Sequence, residues 1–293
     1  MPASEQDQSI GLHVDLDGAA APAAGLLGLP TLDARCWGPK LRIVARPRDM
    51  DVFYEFVRPR LRPLTLFGSG DFHHLSALWL RRLKEPFTLV MFDNHPDWDR
   101  RPPRWSCGGW LNRALELPNC RRIVVLGCGN FELEFPSRLF GCSDVRLEIR
   151  PWAERVSPRT RRGFRCIDAG SVPQATAELV DDLRGGAVYV SVDLDALAAA
   201  DAVTNWENGL FSTRQVCSII EDLGTRARIV GADVCGGYSP PVLERMLQRL
   251  AHVWDHPKLN LPEASEIVSR NAKATAAIWN ALAAALDRQP GAA

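Results

Sequence analysis

The sequence predicts an α/β protein organised around a parallel sheet. Short apolar, β-branched runs alternate along the chain with amphipathic stretches of helical period, which is the pattern of successive β-α units. The 293 residues are 46% hydrophobic and 24% charged, close to the globular average and long enough to bury one sizeable core. Residues 1–293 are therefore expected to form a single domain.

Each element follows from its local pattern. The segment before residue 40 is rich in Ala, Gly and Pro and is expected to be irregular. A first strand is expected over 41–45 and a helix over 50–58. Strand 64–67 then leads into helix 74–84, strand 87–92 into helix 110–117, and strands 122–126 and 145–149 follow. Residues 150–165 hold six arginines and two prolines, which reads as a solvated connection, with a phosphate-binding loop as the alternative. Helix 174–183, strand 188–192, helix 213–223, strand 229–233 and helix 241–253 continue the alternation. The last helix spans 262–286, where Ile267, Ala274, Ile278 and Leu282 recur at helical spacing and predict a packed terminal layer. The tail from 287 to 293 is expected to be irregular.

Charge narrows the function. Lys plus Arg and Asp plus Glu both count 35, so nothing draws the chain as a whole to nucleic acid or to an anionic membrane. A small-molecule substrate fits this balance better. No run approaches the roughly 18 apolar residues of a spanning helix, and the polar start MPASEQDQSI lacks a basic leader, so a cytoplasmic location is expected. Eight cysteines are scattered without a C-x-x-C pair and read as free thiols.

Three expected strands end in the same chemistry. Residues 87–92 run into Asp93, Asn94, His95, Pro96 and Asp97, and residues 188–192 run into Asp193 and Asp195. In an extended segment, residues two apart point the same way, so each set can converge on one point above the sheet. The third, 64–67, opens into Gly68-Ser-Gly-Asp71-Phe-His73-His74. Buried carboxylates cost several kcal/mol each unless compensated, and no Lys or Arg lies inside these motifs, so a pair of divalent metal ions is the simplest partner. Oxygen-rich ligation with one or two imidazoles favours Mn²⁺ over a thiolate-bound Zn²⁺. Two such ions about 3.5 to 4 Å apart can share and activate a water, which predicts metal-assisted hydrolysis.

The motifs G-D-F-H-H, D-N-H-P-D and S-V-D-L-D resemble, in order and approximate spacing, the three metal-binding signatures of the arginase/agmatinase (ureohydrolase) superfamily. The resemblance implies a three-layer α/β/α fold with a mainly parallel sheet of about eight strands, assembled as a homo-oligomer. It further implies two Mn²⁺ per chain held by Asp93, His95, Asp97, Asp193, Asp195 and one histidine of the first motif. Phe72 intervenes where the family writes G-G-D-H-S, which leaves both His73 and His74 open as the sixth ligand, the His-His-Leu-Ser register favouring His73. Asp71 is implied to orient that histidine and Asp99 to contact substrate.

Departures from the family pattern predict an unusual substrate. Trp110 stands where arginases carry a proton-shuttling histidine, and Gly236 stands where they carry the glutamate that holds the substrate guanidinium. Losing such a charge-assisted contact removes about 1.5 to 3 kcal/mol, so free arginine is a poor candidate. Glu207 is a candidate replacement, and Trp98, Trp105, Trp110 and Trp206 are expected to rim the site. The reading is a hydrolase that cleaves a carbon-nitrogen bond of a guanidino, amidino or amide compound with a metal-bridging hydroxide. The alternative is a non-catalytic, metal-bound scaffold or regulatory member.

Overall fold

The computed structural model describes residues 9–103 and 105–288. The extreme termini, including most of the polar start read for location and the tail 289–293, lie outside the described residues. Eight strands form one sheet: β1 (Gly11–Asp15), β2 (Thr31–Asp33), β3 (Leu64–Phe67), β4 (Phe87–Phe92), β5 (Cys120–Leu126), β6 (Leu147–Arg150), β7 (Ala187–Asp193) and β8 (Arg228–Cys235). Their order is β2-β1-β3-β8-β7-β4-β5-β6, and every neighbouring pair is parallel.

Between and after the strands run ten helices among the described residues: α1 (Ala21–Leu26), α2 (Gly38–Leu41), α3 (Pro47–Val57), α4 (Ser76–Leu80), α5 (Leu111–Leu115), α6 (Pro158–Arg161), α7 (Val172–Asp182), α8 (Thr213–Arg226), α9 (Met246–Asp255) and α10 (Ala264–Asp287). Alternate strand residues feed two cores. Val90, Phe92, Val124, Val190 and Val192 pack with α7, α8 and α10 on one face. Leu89, Met91, Ile123, Val125 and Tyr189 pack with α3, α4 and α5 on the other, completing the expected three-layer α/β/α arrangement. No helix of the described residues is long and apolar enough to cross a membrane.

Two expectations are corrected here. Residues 11–33 are not irregular: β1 is buried along its whole length and pairs with both β2 and β3. Its polar His13 hid it in the sequence, and in the fold the imidazole meets Thr31 Oγ1 through Nδ1 at 3.1 Å. Residues 41–45 are not a strand. Leu41 ends α2, Ile43 takes φ +62°, and Val44 makes only an isolated bridge to Ser106. The buried Arg42 side chain draws this segment into the loop layer, donating to Asp71 Oδ2 at 2.6 Å and to the Ser239 and Pro240 carbonyls. Among the residues of the arginine-rich stretch, Arg150 is also buried, donating to Glu148 and to the Ala175 carbonyl.

Helix–helix packing carries a direct prediction. A Cβ on Gly224 of α8 would sit 2.6 Å from the Ala285 Cβ of α10, whereas Gly25 of α1 faces open space. Gly224→Leu should cost about 1–3 kcal/mol through overpacking, while Gly25→Ala should gain up to about 1 kcal/mol from reduced chain entropy. Urea melts of the two variants read both signs.

Candidate metal centre

From β3 to β4 the chain steps across the two positions held by β8 and β7, so the loops leaving β3 and β4 open a crevice at the carboxyl edge of the sheet. The three acidic motifs meet there. His73 Nδ1 lies 2.9 Å from Asp93 Oδ2, 3.2 Å from Asp97 Oδ2 and 3.5 Å from Asp193 Oδ2. His95 Nδ1 lies 2.8 Å from Asp195 Oδ2 and 3.5 Å from Asp93 Oδ1. Asp93 thus turns one oxygen to each group. His73, Asp93 and Asp97 form one set able to hold a cation, and Asp93, His95 and Asp195 form a second.

The backbone reaches this convergence by turns as well as by strand alternation. Asp195 lies in a single 3₁₀ turn, Leu194–Ala196, capped by Asp193 Oδ1 at 3.0 Å from the Asp195 amide. Asp97 adopts φ +45°, a left-handed conformation uncommon outside glycine, which aims its carboxylate back toward His73.

Hydrogen bonds fix both imidazoles. Ser191 Oγ gives its proton to Asp233 Oδ1 at 2.7 Å, so its oxygen must accept from His73 Nε2 at 3.0 Å. In the neutral ring that leaves the Nδ1 lone pair facing the carboxylates. Asp233, which also accepts from Tyr189 and Ser76, anchors this relay. His95 Nε2 faces Glu207 Oε2 at 3.4 Å, which in the same way leaves Nδ1 toward Asp93 and Asp195.

Three sequence-derived assignments change. His74 is buried but belongs to neither set: the 3₁₀ turn Gly70–Leu75 rotates successive residues by about 120°, so when His73 faces the carboxylates His74 turns away. Asp71 does not orient a ligand histidine. Its carboxylate accepts from Arg42, from Trp206 Nε1 at 3.1 Å and from His256 Nε2 at 2.8 Å, tying the loops to the end of α9. Asp99 borders the cavity, but its oxygens are engaged by the Arg101 amide, Nε and Nη2.

The expected tryptophan rim is also revised. Trp98, Trp105 and Trp110 are buried, and of the four only Trp206 lines the cavity. Trp110 instead donates Nε1–H to Asp97 Oδ2 at 2.7 Å. A cavity of about 360 Å³ opens over the acidic motifs, roofed by Leu247, Leu250 and Trp254 of α9. Trp254 is 82% exposed, so its ring stands at the mouth.

Sequence reasoning missed Glu132, in the loop after β5, and His256, just past α9. Both line up only through tertiary contacts, and neither sits in a motif of alternating ligands. The Ser191–Asp233 relay had a visible signal, the serine inside S-V-D-L-D.

Charge in the crevice is out of balance. Asp93, Asp97, Asp193 and Asp195 are each at most 4% exposed. Burial, reinforced by Asp93, pushes Asp97 up to about 8, and burial pushes Asp193 up to about 6. Asp195 is raised well above the ordinary carboxylate range by burial and by Asp193. Against the opposing effect of burial, hydrogen bonds from His73 and His95 hold Asp93 down at about 2. Burial works against both imidazolium charges, yet the carboxylates raise His73 and His95 well above the ordinary histidine range. Four carboxylates that retain protons or borrow them from imidazoles are the donor set of a cation site. The nearby Cys107 and Cys235 thiols are pushed up by burial and are poor nucleophiles.

Position 236 is closed to any side chain. Gly236 has φ +107°, and a Cβ there would fall 2.1 Å from Asp193 Oδ1 and 2.4 Å from the Leu194 amide nitrogen.

Comparison with known proteins places this geometry. An uncharacterized protein of Thermotoga maritima is 30% identical over 186 residues, 64% of this chain, and the chain spans 62% of that relative's length. A hypothetical agmatinase from Burkholderia thailandensis has a similar fold, with a TM-score of 0.59 at 18% identity over 99% of this chain and 90% of that one. Formimidoylglutamase from Bacillus subtilis also gives 0.59, at 11% identity over 99% and 91%. The family model described as Arginase family matches residues 62–251, more than half of the chain and all three acidic motifs. With the crevice, the ligand sets and that match in register, the chain belongs to the arginase family.

Proposed function

We propose that the protein is a binuclear, Mn²⁺-dependent hydrolase acting on a carbon-nitrogen bond of a small guanidino, amidino or amide compound other than free arginine. The observation that carries this reading is the pair of ligand sets sharing Asp93. Four carboxylates balance two divalent ions when both imidazoles are neutral, and the Ser191 and Glu207 contacts favour the tautomers that turn Nδ1 inward. Asp93, Asp97, His73 and Asp193 would hold one ion, and Asp93, His95 and Asp195 the other. Ions in such a site supply Lewis acidity and an activated water. The agmatinase and formimidoylglutamase neighbours, by their names, support carbon-nitrogen substrates.

The chain's own residues have defined tasks in this reading. Glu207 orients His95, the Ser191–Asp233 relay orients His73, and Trp110 fixes one oxygen of Asp97. Because Trp110 cannot shuttle protons, a metal-bound member without turnover is the second reading.

Asp193→Ala and His95→Ala are each expected to reduce bound Mn²⁺ from about two ions per chain, with hydrolysis falling in parallel. Elemental analysis of the reconstituted protein, with a screen of guanidino and amide compounds, tests both readings. Absence of Mn²⁺ after reconstitution would sink the first, and full loading without turnover on any compound would favour the second.

A further inference from the structure

We infer that Glu132 is the carboxylate that receives the cationic head of the substrate, a guanidinium or amidinium group, in the task that position 236 cannot perform. This inference rests on the hydrolase reading above. Besides the proposed ligands Asp93, Asp97, Asp193 and Asp195, four carboxylates line the cavity: Asp99, Glu132, Glu207 and Asp255. Asp99 is neutralised by Arg101, whose Nη2 lies 2.6 Å from Oδ2. Glu207 is committed to His95 and its side chain is 49% exposed. Asp255 is exposed at the end of α9.

Glu132 differs from all three. Its Oε2 is shut off from solvent and has no hydrogen-bond partner, although the residue lines the cavity. Arg101 is the cavity-lining arginine among the described residues, and Asp99 already holds it. A buried carboxylate oxygen without a donor is costly, and a planar cation with two N–H groups is the ligand that would satisfy it. Gly108 also lines the cavity, and a Cβ there would lie 4.0 Å from Glu132 Oε1, so position 108 sets no side chain against the carboxylate. Burial pushes the carboxyl up to about 7, with His95 and a side-chain hydrogen bond with Asn130 opposing, and an arriving cation would restore its charge.

The test titrates n-butylguanidinium and its neutral isostere n-butylurea into the Mn²⁺-loaded protein by calorimetry. Glu132→Gln should weaken butylguanidinium binding by about 10- to 100-fold, the range expected for a hydrogen-bonded charge, and leave butylurea affinity, bound Mn²⁺ and melting temperature near wild type. Glu132→Asp, which keeps the charge, should retain part of the preference for the cation. Equal affinity of wild type and Glu132→Gln for butylguanidinium would overturn the assignment, as would an equal loss for both ligands. A wild-type protein that ignores the cation but binds butylurea would also overturn it while leaving a hydrolase of neutral amides. Failure of the wild type to hold Mn²⁺ would instead remove the hydrolase reading itself.

Discussion

Chelating the two proposed Mn²⁺ ions is expected to lower the melting temperature by about 10 °C or more, with a deficit that deepens as pH rises from about 5 to 8. Each ion held at a hundred times its dissociation constant contributes about 2.7 kcal/mol, and one kcal/mol moves a chain of this size by about 2–4 °C. The pH dependence follows from the raised carboxyls. Asp97 at about 8 and Asp193 at about 6 keep protons in the metal-free fold that an unfolded aspartate loses near pH 4. The native state then binds more protons than the unfolded state across this window, so stability falls as pH rises through 6 and 8. His73 and His95, also raised, stabilise below their unfolded value and lose that contribution as pH climbs through their folded values. Asp93 and Asp71, both held at about 2, act in the opposite sense and only in acid, where their contribution is lost on the way down to pH 2. Calorimetric melts with Mn²⁺ and with EDTA at pH 5, 6.5 and 8 measure the gap. A gap that is absent, or constant with pH, would contradict the charge balance proposed for the crevice.

Gly236→Glu is the second large effect, and its direction runs against simple restoration of the family pattern. Supplying the glutamate of arginases at this position should not create an arginase. The added Cβ overlaps Asp193 Oδ1 at 2.1 Å and the φ of +107° strains any L side chain, so the ligand loop must move. Strain and overpacking at roughly 1–3 kcal/mol each predict a loss of about 2–6 kcal/mol in stability, with bound Mn²⁺ falling. Free L-arginine should be a poor substrate of the wild type, at least about a hundredfold below a typical arginase, equivalent to about 2.7 kcal/mol, and the variant should be no better. Urea release from arginine, measured beside metal content, checks both parts. Efficient release by either protein would show that the guanidinium is held by other means.

The legible parts of the fold were those whose signal is local. Residues 87–92 and 188–192 are continuous apolar runs because both faces of a parallel strand are covered, and β4 and β7 span them within one residue at either end. The same locality exposed the acidic motifs at their ends. What escaped depended on distant partners. Gly11–Asp15 reads as polar until Thr31 is beside His13, and Arg42 looks like a surface arginine until Asp71 and Ser239 surround it. Glu207 was legible as a carboxylate near the site but not as the group that orients His95, since the contact joins residues 112 apart. For the histidine pair, register alone left two candidates, and the rotation of the 3₁₀ turn separates them.

The sheet order also sets when the centre can exist during synthesis. β8 is the last strand to be made, yet it lies between β3 and β7. Without it the remaining strands fall into two groups that share no pairing, β2-β1-β3 and β7-β4-β5-β6. One bears His73 alone, and the other bears Asp93, His95, Asp97, Asp193 and Asp195. Such long-range pairing is slow to form and comes late in translation. A chain interrupted before residue 228 therefore carries five of the six candidate ligands on one group of strands and lacks the strand that joins the sixth to them, so pairing of β8 is the event that completes the candidate site.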